Sequence, residues 1–272
     1  MEANVYDLEG KVQKKVSLPK VFECSYNEDM IKRALLAEQS EEYQPQGRDI
    51  LAGMRTSAQF VGRLGNYRSQ RHTGRPPRPR QMLARGGVGA VRRIPSAVKG
   101  RRAHPQKVEK RIVEKINRKE YIKALESAVA ATGNMSLIKK THIYAKETFP
   151  IAVSSEIEKI SRTKDLMKII ASLGLMEDLE KSHKPRKNEG SSRRSKKRYF
   201  RNSLLFVVKD AKVLGKAGRN IPGASVLEVD RLRISAITPG AKPVLTLWSE
   251  SALQSLTEGI TNSAMRRKGW VK

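Results

Sequence analysis

The chain has 272 residues, of which 38% are hydrophobic and 30% charged, with a formal net charge of +28. That length allows one large or two small domains, and the low apolar share means that much of the chain adds nothing to a core. An aromatic content of 5% argues against a broad stacking platform, and with no run of about 18 apolar residues nothing is expected to span a membrane.

The charge is concentrated. Residues 45–105 carry +13, residues 184–201 carry +8 and residues 264–272 carry +4, which leaves +3 for the other 184 residues. A near-neutral body with three cationic appendages is expected, and cations so crowded repel one another unless a polyanion neutralises them. Phosphate is the obvious counter-charge, because binding releases condensed counterions. Cys24 is the only cysteine, so no intramolecular disulfide can form and a reducing compartment is expected. The first residues, Met1-Glu2-Ala3-Asn4, lack the charged-then-apolar pattern of a signal segment.

In chain order, Val5–Leu8, Glu9-Gly10 and Lys11–Gln13 read as a short hairpin. Ser25 with Glu28 has capping-box spacing, and Met30, Ile31, Ala34 and Leu35 line one face of the helix that follows, which fades by Tyr43. Residues 45–105 then lose all hydrophobic period. They hold thirteen Arg, one Lys, nine Gly and six Pro against one acid, Asp49. Gly lets backbone approach a surface and Pro keeps it extended; neither builds a core.

A helical stripe resumes from Gln106 through Val108, Ile112 and Ile116 to Tyr121, Leu125, Ala128 and Val129, with Gly133 as its C′ residue. Phe149–Val153 reads as a strand that switches to helix at Ser154-Ser155-Glu156. Thr163 and Asp165 open a helix carrying Leu166, Ile169, Ile170 and Leu173, ended by Gly174, and Leu175–Leu179 reads as a short second helix. Residues 184–201 are a Lys/Arg/Ser insert. Ser203–Val208, Val226–Val229 and Val244–Trp248 read as strands, and Ser249–Ile260 as a final helix with Ala252, Leu253, Leu256 and Ile260 inward. Continuous apolar strands joined by helices predict an α/β fold: a mainly parallel sheet flanked by helices on both faces. The expected organisation is one globular domain over 1–44 and 106–263, an extended loop over 45–105, the insert within the domain and a basic tail over 264–272.

Such a sheet invites an enzymatic reading, but its motifs are missing. Gly10-Lys11 is followed by Val12 and Gly215-Lys216 by Ala217, so neither completes a Walker motif, and GxGxxG and GxSxG are absent. The four histidines (72, 104, 142 and 183) are scattered and, with one cysteine, give no zinc spacing. No catalytic residue, cofactor, metal or small-molecule substrate is expected. Gly215–Asn220 after a strand could cradle a phosphate at a helix start, though a plain turn and short helix is the better reading.

The arm at 45–105 is read as an RNA contact rather than a disordered cationic linker. Arg outnumbers Lys thirteen to one there; its planar fork bonds phosphate bidentately and stacks on bases, which Lys does not do. Phe60 and Tyr67 lie among the arginines, where unstacked bases could meet them. Both ends are tied to helices, and with so little apolar surface the arm is expected to order on its partner. Duplex DNA is less favoured, since no helix-turn-helix, zinc finger or basic zipper is visible. The candidate RNA-binding residues are Arg48, Arg55, Arg63, Tyr67, Arg68, Arg71, Arg75, Arg78, Arg80, Arg85, Arg92, Arg93, Lys99, Arg101, Arg102 and His104. Arg193, Arg194, Lys196, Lys197 and Arg198 are candidates in the insert, which could instead be a nuclear address or a solvated loop. Arg266-Arg267-Lys268 with Trp270 offers a third contact or a frayed end.

The residues Arg92-Arg93-Ile94-Pro95-Ser96-Ala97-Val98-Lys99-Gly100-Arg101-Arg102-Ala103-His104-Pro105 resemble the return limb of the long loop in the universal large-subunit ribosomal protein number four family, in its archaeal and eukaryotic form. Gly53-Met54-Arg55-Thr56 resembles the outgoing limb and Arg85-Gly86-Gly87-Val88 its glycine turn. Val5–Gly10, Ser203–Val208 and Ser249–Leu253 are similar to its globular part. The resemblance implies a structural constituent of the large ribosomal subunit that binds large-subunit rRNA early in assembly. It implies a loop that lines the nascent-polypeptide exit tunnel beside another looped ribosomal protein. By this match Arg92, Arg93, Lys99, Arg101, Arg102 and His104 would touch RNA. Partners would be rRNA and neighbouring ribosomal proteins rather than a membrane or a second copy of the chain, and the location the cytoplasmic ribosome. Two other readings stay open: an RNA-modifying enzyme with a nucleotide-binding sheet, and a nucleic-acid packaging protein.

Overall fold

A computed structural model of the chain describes residues 1–67, 69–144, 149–183, 186–187, 198–199 and 201–257. The chain divides into two compact units, Met1–Glu42 with Glu114–Lys272, and Tyr43–Val113. The first unit, the body, opens with β1 (Glu2–Tyr6) and β2 (Val12–Ser17), an antiparallel hairpin turned at Gly10. This is the expected hairpin, longer on both arms. A short 3-10 turn at Lys20–Glu23 leads to α1 (Glu28–Glu41). Its cap is not Ser25: the Asn27 side chain accepts from Met30 N at 3.1 Å, and Ser25 O instead accepts from Ser127 Oγ at 3.1 Å. Ser127 Oγ also accepts from Asn27 N at 2.8 Å, so one hydroxyl ties the start of α1 to a distant helix.

The second unit contains β3 (Arg80–Met82) and β4 (Val88–Val91). The body resumes with α2 (Arg118–Thr132), α3 (Met135–Ile138), β5 (Ile151–Val153), α4 (Thr163–Ser172) and α5 (Met176–His183). The pair β6 (Arg186–Lys187) and β7 (Arg198–Tyr199) follows. Then come β8 (Leu204–Val208), α6 (Leu214–Gly218), β9 (Ala224–Glu228), α7 (Ile234–Ile237), β10 (Leu245–Ser249) and α8 (Glu250–Thr257). The expected inward position Ile260 lies outside the described residues.

The main sheet has six strands in the order β2-β1-β5-β10-β8-β9, and every pairing except β1 with β2 is parallel. The predicted α/β architecture is therefore present. Strand β8 is buried along its whole length, as a central parallel strand covered on both faces must be. Its alternate residues serve different cores. Leu205 and Val207, with Trp248, pack under α1, α2, α7 and α8. Leu204, Phe206 and Val208 pack with Leu166, Ile170 and Leu179 of α4 and α5. Phe22 meets Trp248 edge-on at 5.5 Å between ring centroids. Glu38, buried on the inner face of α1, accepts from Ile234 N at 3.1 Å and Ser235 N at 2.9 Å. It thereby satisfies the orphan amides that open α7.

Two expectations need correction. Residues 106–117 are not helical; α2 begins only at Arg118. The stripe there is built on β-branched Val108, Ile112 and Ile116, which lose side-chain freedom in a helix, and of the three only Ile116 is buried, so little burial offsets that cost. Gly133 ends α2 as its C-cap at φ −86°, not as a left-handed C′ residue.

Candidate nucleic-acid interface

The second unit spans Tyr43–Val113. Within the body, Glu114 N donates to Ser40 Oγ at 2.9 Å, which fastens together the segments that bound this unit. The unit's own base is a backbone bond from Arg48 N to Gln106 O at 3.1 Å. Further out, Gln59 and Arg80 exchange both backbone hydrogen bonds at 3.0 Å, and Arg80 opens the β3–β4 hairpin. Arg92 N donates to Pro79 O at 3.0 Å. A short ladder thus gives the unit structure where the sequence suggested only extended chain.

Side chains contribute almost nothing to that structure. Of the described residues 43–113, only Ala58 is buried. The limbs meet backbone to backbone instead. Gly53 sits at φ +82°, and a Cβ there would fall 2.5 Å from Gly100 O. A Cβ on Gly100 would fall 2.0 Å from Ile94 O. A larger residue at Gly53 would part the limbs, and one at Gly100 would open the 94–100 turn of the return limb. Between these contacts Arg93 (φ +70°) and Lys99 (φ +60°) occupy the left-handed region, a strain of order 1 kcal/mol or more each that tends to gather at functional sites.

The structure sorts the predicted cations by what they already touch. Arg55 is engaged: its Nη1 lies 2.6 Å from Asp49 Oδ2 and its Nη2 3.2 Å from Asp49 Oδ1, a bidentate pair that occupies the fork. Arg92 Nη1 donates to Val98 O and Arg78 Nη1 reaches Ser96 Oγ at 3.5 Å. Arg80 is half-buried, with its Nε enclosed and unpartnered. By contrast, Arg48, Arg63, Arg71, Arg75, Arg85, Arg93, Lys99, Arg101 and Arg102 are exposed, and their side chains have no ion-pair or hydrogen-bond partner among the described residues. His104 is exposed beside them, as are Tyr67 and Phe60. Arg68, Arg193, Arg194, Lys196, Lys197 and the tail 264–272 lie outside the described residues, and only the backbone of Arg198 is described. Such a field of free guanidinium groups on an extended scaffold is chemically suited to a chain of phosphates.

The profile of the ribosomal protein L4/L1 family matches residues 16–259. The chain belongs to the ribosomal protein L4/L1 family. It is 41% identical over 263 residues to the large ribosomal subunit protein uL4 of Methanocaldococcus jannaschii, covering 95% of this chain and 99% of that one. It is similarly close to the uL4 proteins of Archaeoglobus fulgidus, at 38% identity, and Methanoculleus marisnigri, at 37%, each over 95% of this chain and 99% of the relative. The resemblance read from the arm motifs is thus supported across almost the whole length.

Other candidate sites in this family member resolve differently. Gly215–Asn220 takes the plain reading: α6 is a five-residue helix, and a Cβ on Gly218 would fall 2.5 Å from Val226 Cγ2, so that glycine serves helix-on-strand packing. Among the described residues no cluster of three or more His, Cys, Asp or Glu could hold a metal ion, and no helix is long and apolar enough to cross a membrane. Sequence reasoning did not find the buried Asp178. It accepts from Ile143 N at 3.0 Å and Tyr144 N at 2.9 Å, with His142 Nδ1 at 3.4 Å. Burial opposes its ionisation, but the His142 side chain and the two amides together outweigh that and hold the carboxyl below its usual range. The partners are about 35 residues away, which is why no local motif announced them.

Proposed function

We propose that this chain is a structural constituent of the large ribosomal subunit that binds large-subunit rRNA through residues 45–105. The observation that carries this reading is the set of exposed arm cations without partners among the described residues, set against a remainder that is almost neutral once the basic insert and tail are set aside. The mechanism is delivery of fixed positive charge. Guanidinium forks enter where phosphates crowd too closely for mobile ions alone, and the Gly53–Gly100 contact keeps the limbs close there. Fully extended out and back, 61 residues reach at most roughly 100 Å at about 3.3 Å each, enough to penetrate a large RNA. The early role in assembly and the tunnel-lining position implied by the arm's resemblance belong to the same proposal, as do rRNA and neighbouring ribosomal proteins as partners and a cytoplasmic ribosome as location. No catalytic act is needed.

Sedimentation of a cell lysate tests this. The chain should travel with the large-subunit peak and stay there through a high-salt wash that strips loosely bound proteins. Recovery only in the soluble fractions would contradict the proposal.

A further inference from the structure

The body carries a cationic feature that the arm does not account for. A cleft of about 690 Å³ lies where the chain approaches β8 and β10. Lys140, Lys181, Arg201 and Lys242 line it, together with Asn202 and the buried His142. These residues come from four separate segments: the turn after α3, the end of α5, the approach to β8 and the approach to β10. Like charges converge in one concavity only if something offsets their repulsion.

The described chain does so only weakly, through Glu28 near Lys242 and Lys140. Lys140, Lys181 and Lys242 are exposed and have no ion-pair partner among the described residues. Arg201 is half-buried and is aimed by one bond, Nη2 to Thr141 O at 3.2 Å, which leaves the rest of its fork free. The acids nearby are already committed. Asp178 lies behind His142 and accepts from Ile143 N and Tyr144 N. Glu28, whose carboxyl is held low first by its bond to Lys32 and more weakly by Lys242 and Lys140, pairs with Lys32 at 2.8 Å. The cleft therefore keeps a surplus of positive charge next to the side chains of Asn202 and His142.

The sequence continues this feature. Residues 184–200 begin three residues after Lys181, end just before Arg201, and hold eight basic residues against one acid. A single small anion would offset only part of the four cations in the cleft and none of the run that follows in sequence; a chain of phosphates would serve both.

We propose that this cleft binds neighbouring backbone phosphates of RNA, a second anchoring point on the body distinct from the arm. The inference rests on the RNA-binding reading above and adds a site to it. The test uses the full-length chain and a large-subunit rRNA transcript, with affinity measured as salt rises from about 50 to 200 mM. Replacing two phosphate-contacting lysines, Lys181→Gln with Lys242→Gln, should make the slope of log affinity against log salt shallower by about 2. Lys181→Arg with Lys242→Arg should keep the slope. Both pairs should melt with the parent, because the lysines are exposed.

Calorimetric titration with inorganic phosphate, and separately with a polyglutamate peptide, should show no saturable site. A steep parental slope that the Gln pair leaves unchanged would overturn the cleft proposal alone. A flat parental slope would instead remove the RNA reading on which it rests. Saturable binding of phosphate or polyglutamate, lost in the Gln pair while the RNA slope holds, would reassign the cleft and overturn the proposal.

Discussion

In the body, strands β8 and β10 are buried at every position, and buried carboxylates such as Glu38 and Asp178 find their donors inside the chain. In residues 43–113 only Ala58 among the described positions is buried, and most of the cations find no internal partner. The two units solve the same problem by opposite means. The body removes apolar surface from water and closes its polar bonds internally. The arm has little apolar surface to remove, so its fixed shape comes from backbone contacts and its charges await an external counterpart. Stability and function are thereby separated along one chain.

The sharpest way to break this contrast is to truncate a large side chain in each unit. Trp248→Ala should cost about 3–5 kcal/mol in denaturant unfolding, because it empties the core around Phe22 and Leu253. Leu64→Ala in the arm, where the side chain is exposed, should change stability by less than about 0.5 kcal/mol. An equal loss from both would mean that the arm is packed as the body is.

Gly100→Ala sharpens the contrast from the arm's side. Overpacking a backbone contact should cost about 1–3 kcal/mol locally, which reads as roughly tenfold weaker RNA binding with an unchanged melting temperature. A fall in melting temperature with intact RNA affinity would reverse the assignment of roles.

Asp178 gives a smaller effect, confined to acid. Its carboxyl lies below the ordinary value of 3.8, so its contribution to stability is fully present above about that pH. The contribution is lost as pH falls toward the depressed folded value. Melting followed downward from pH 6 should drop through that window, and Asp178→Asn should remove this part of the drop. An unaltered acid limb would show that the carboxylate contributes nothing.

The smallest difference separates two arginines of the same arm. Arg93→Gln should lower the salt slope of RNA binding by about 1, while Arg55→Gln should do less, since its fork is already held by Asp49. Equal losses would mean that RNA displaces Asp49.

The sequence carried the body well where the signal is local. The apolar run at 204–208 and the period of α4 both announce themselves, since burial demands those side chains at those spacings. It misled at 106–117, where a four-residue spacing mimicked a helix although only Ile116 of its stripe is buried. The cap of α1 went to Asn27 rather than Ser25; the helix start is tied to Ser127, through Asn27 N and Ser25 O, which no window around the helix contains. The arm's chemistry was legible from composition, but the Asp49–Arg55 pair and the ladder through Gln59 and Arg80 depend on how the limbs fold back. The cleft was the least visible, being assembled from residues between 140 and 244.

The most direct test of the separation is the salt dependence of rRNA binding. The intact chain would be compared with one in which residues 55–100 are replaced by a short Gly-Ser linker. The account predicts a steep slope for the intact chain, about −5 to −9 for 6–10 phosphate contacts, and loss of most of it in the linker chain while the body melts as before. Equal slopes in the two chains, or a body that no longer folds without its arm, would contradict it.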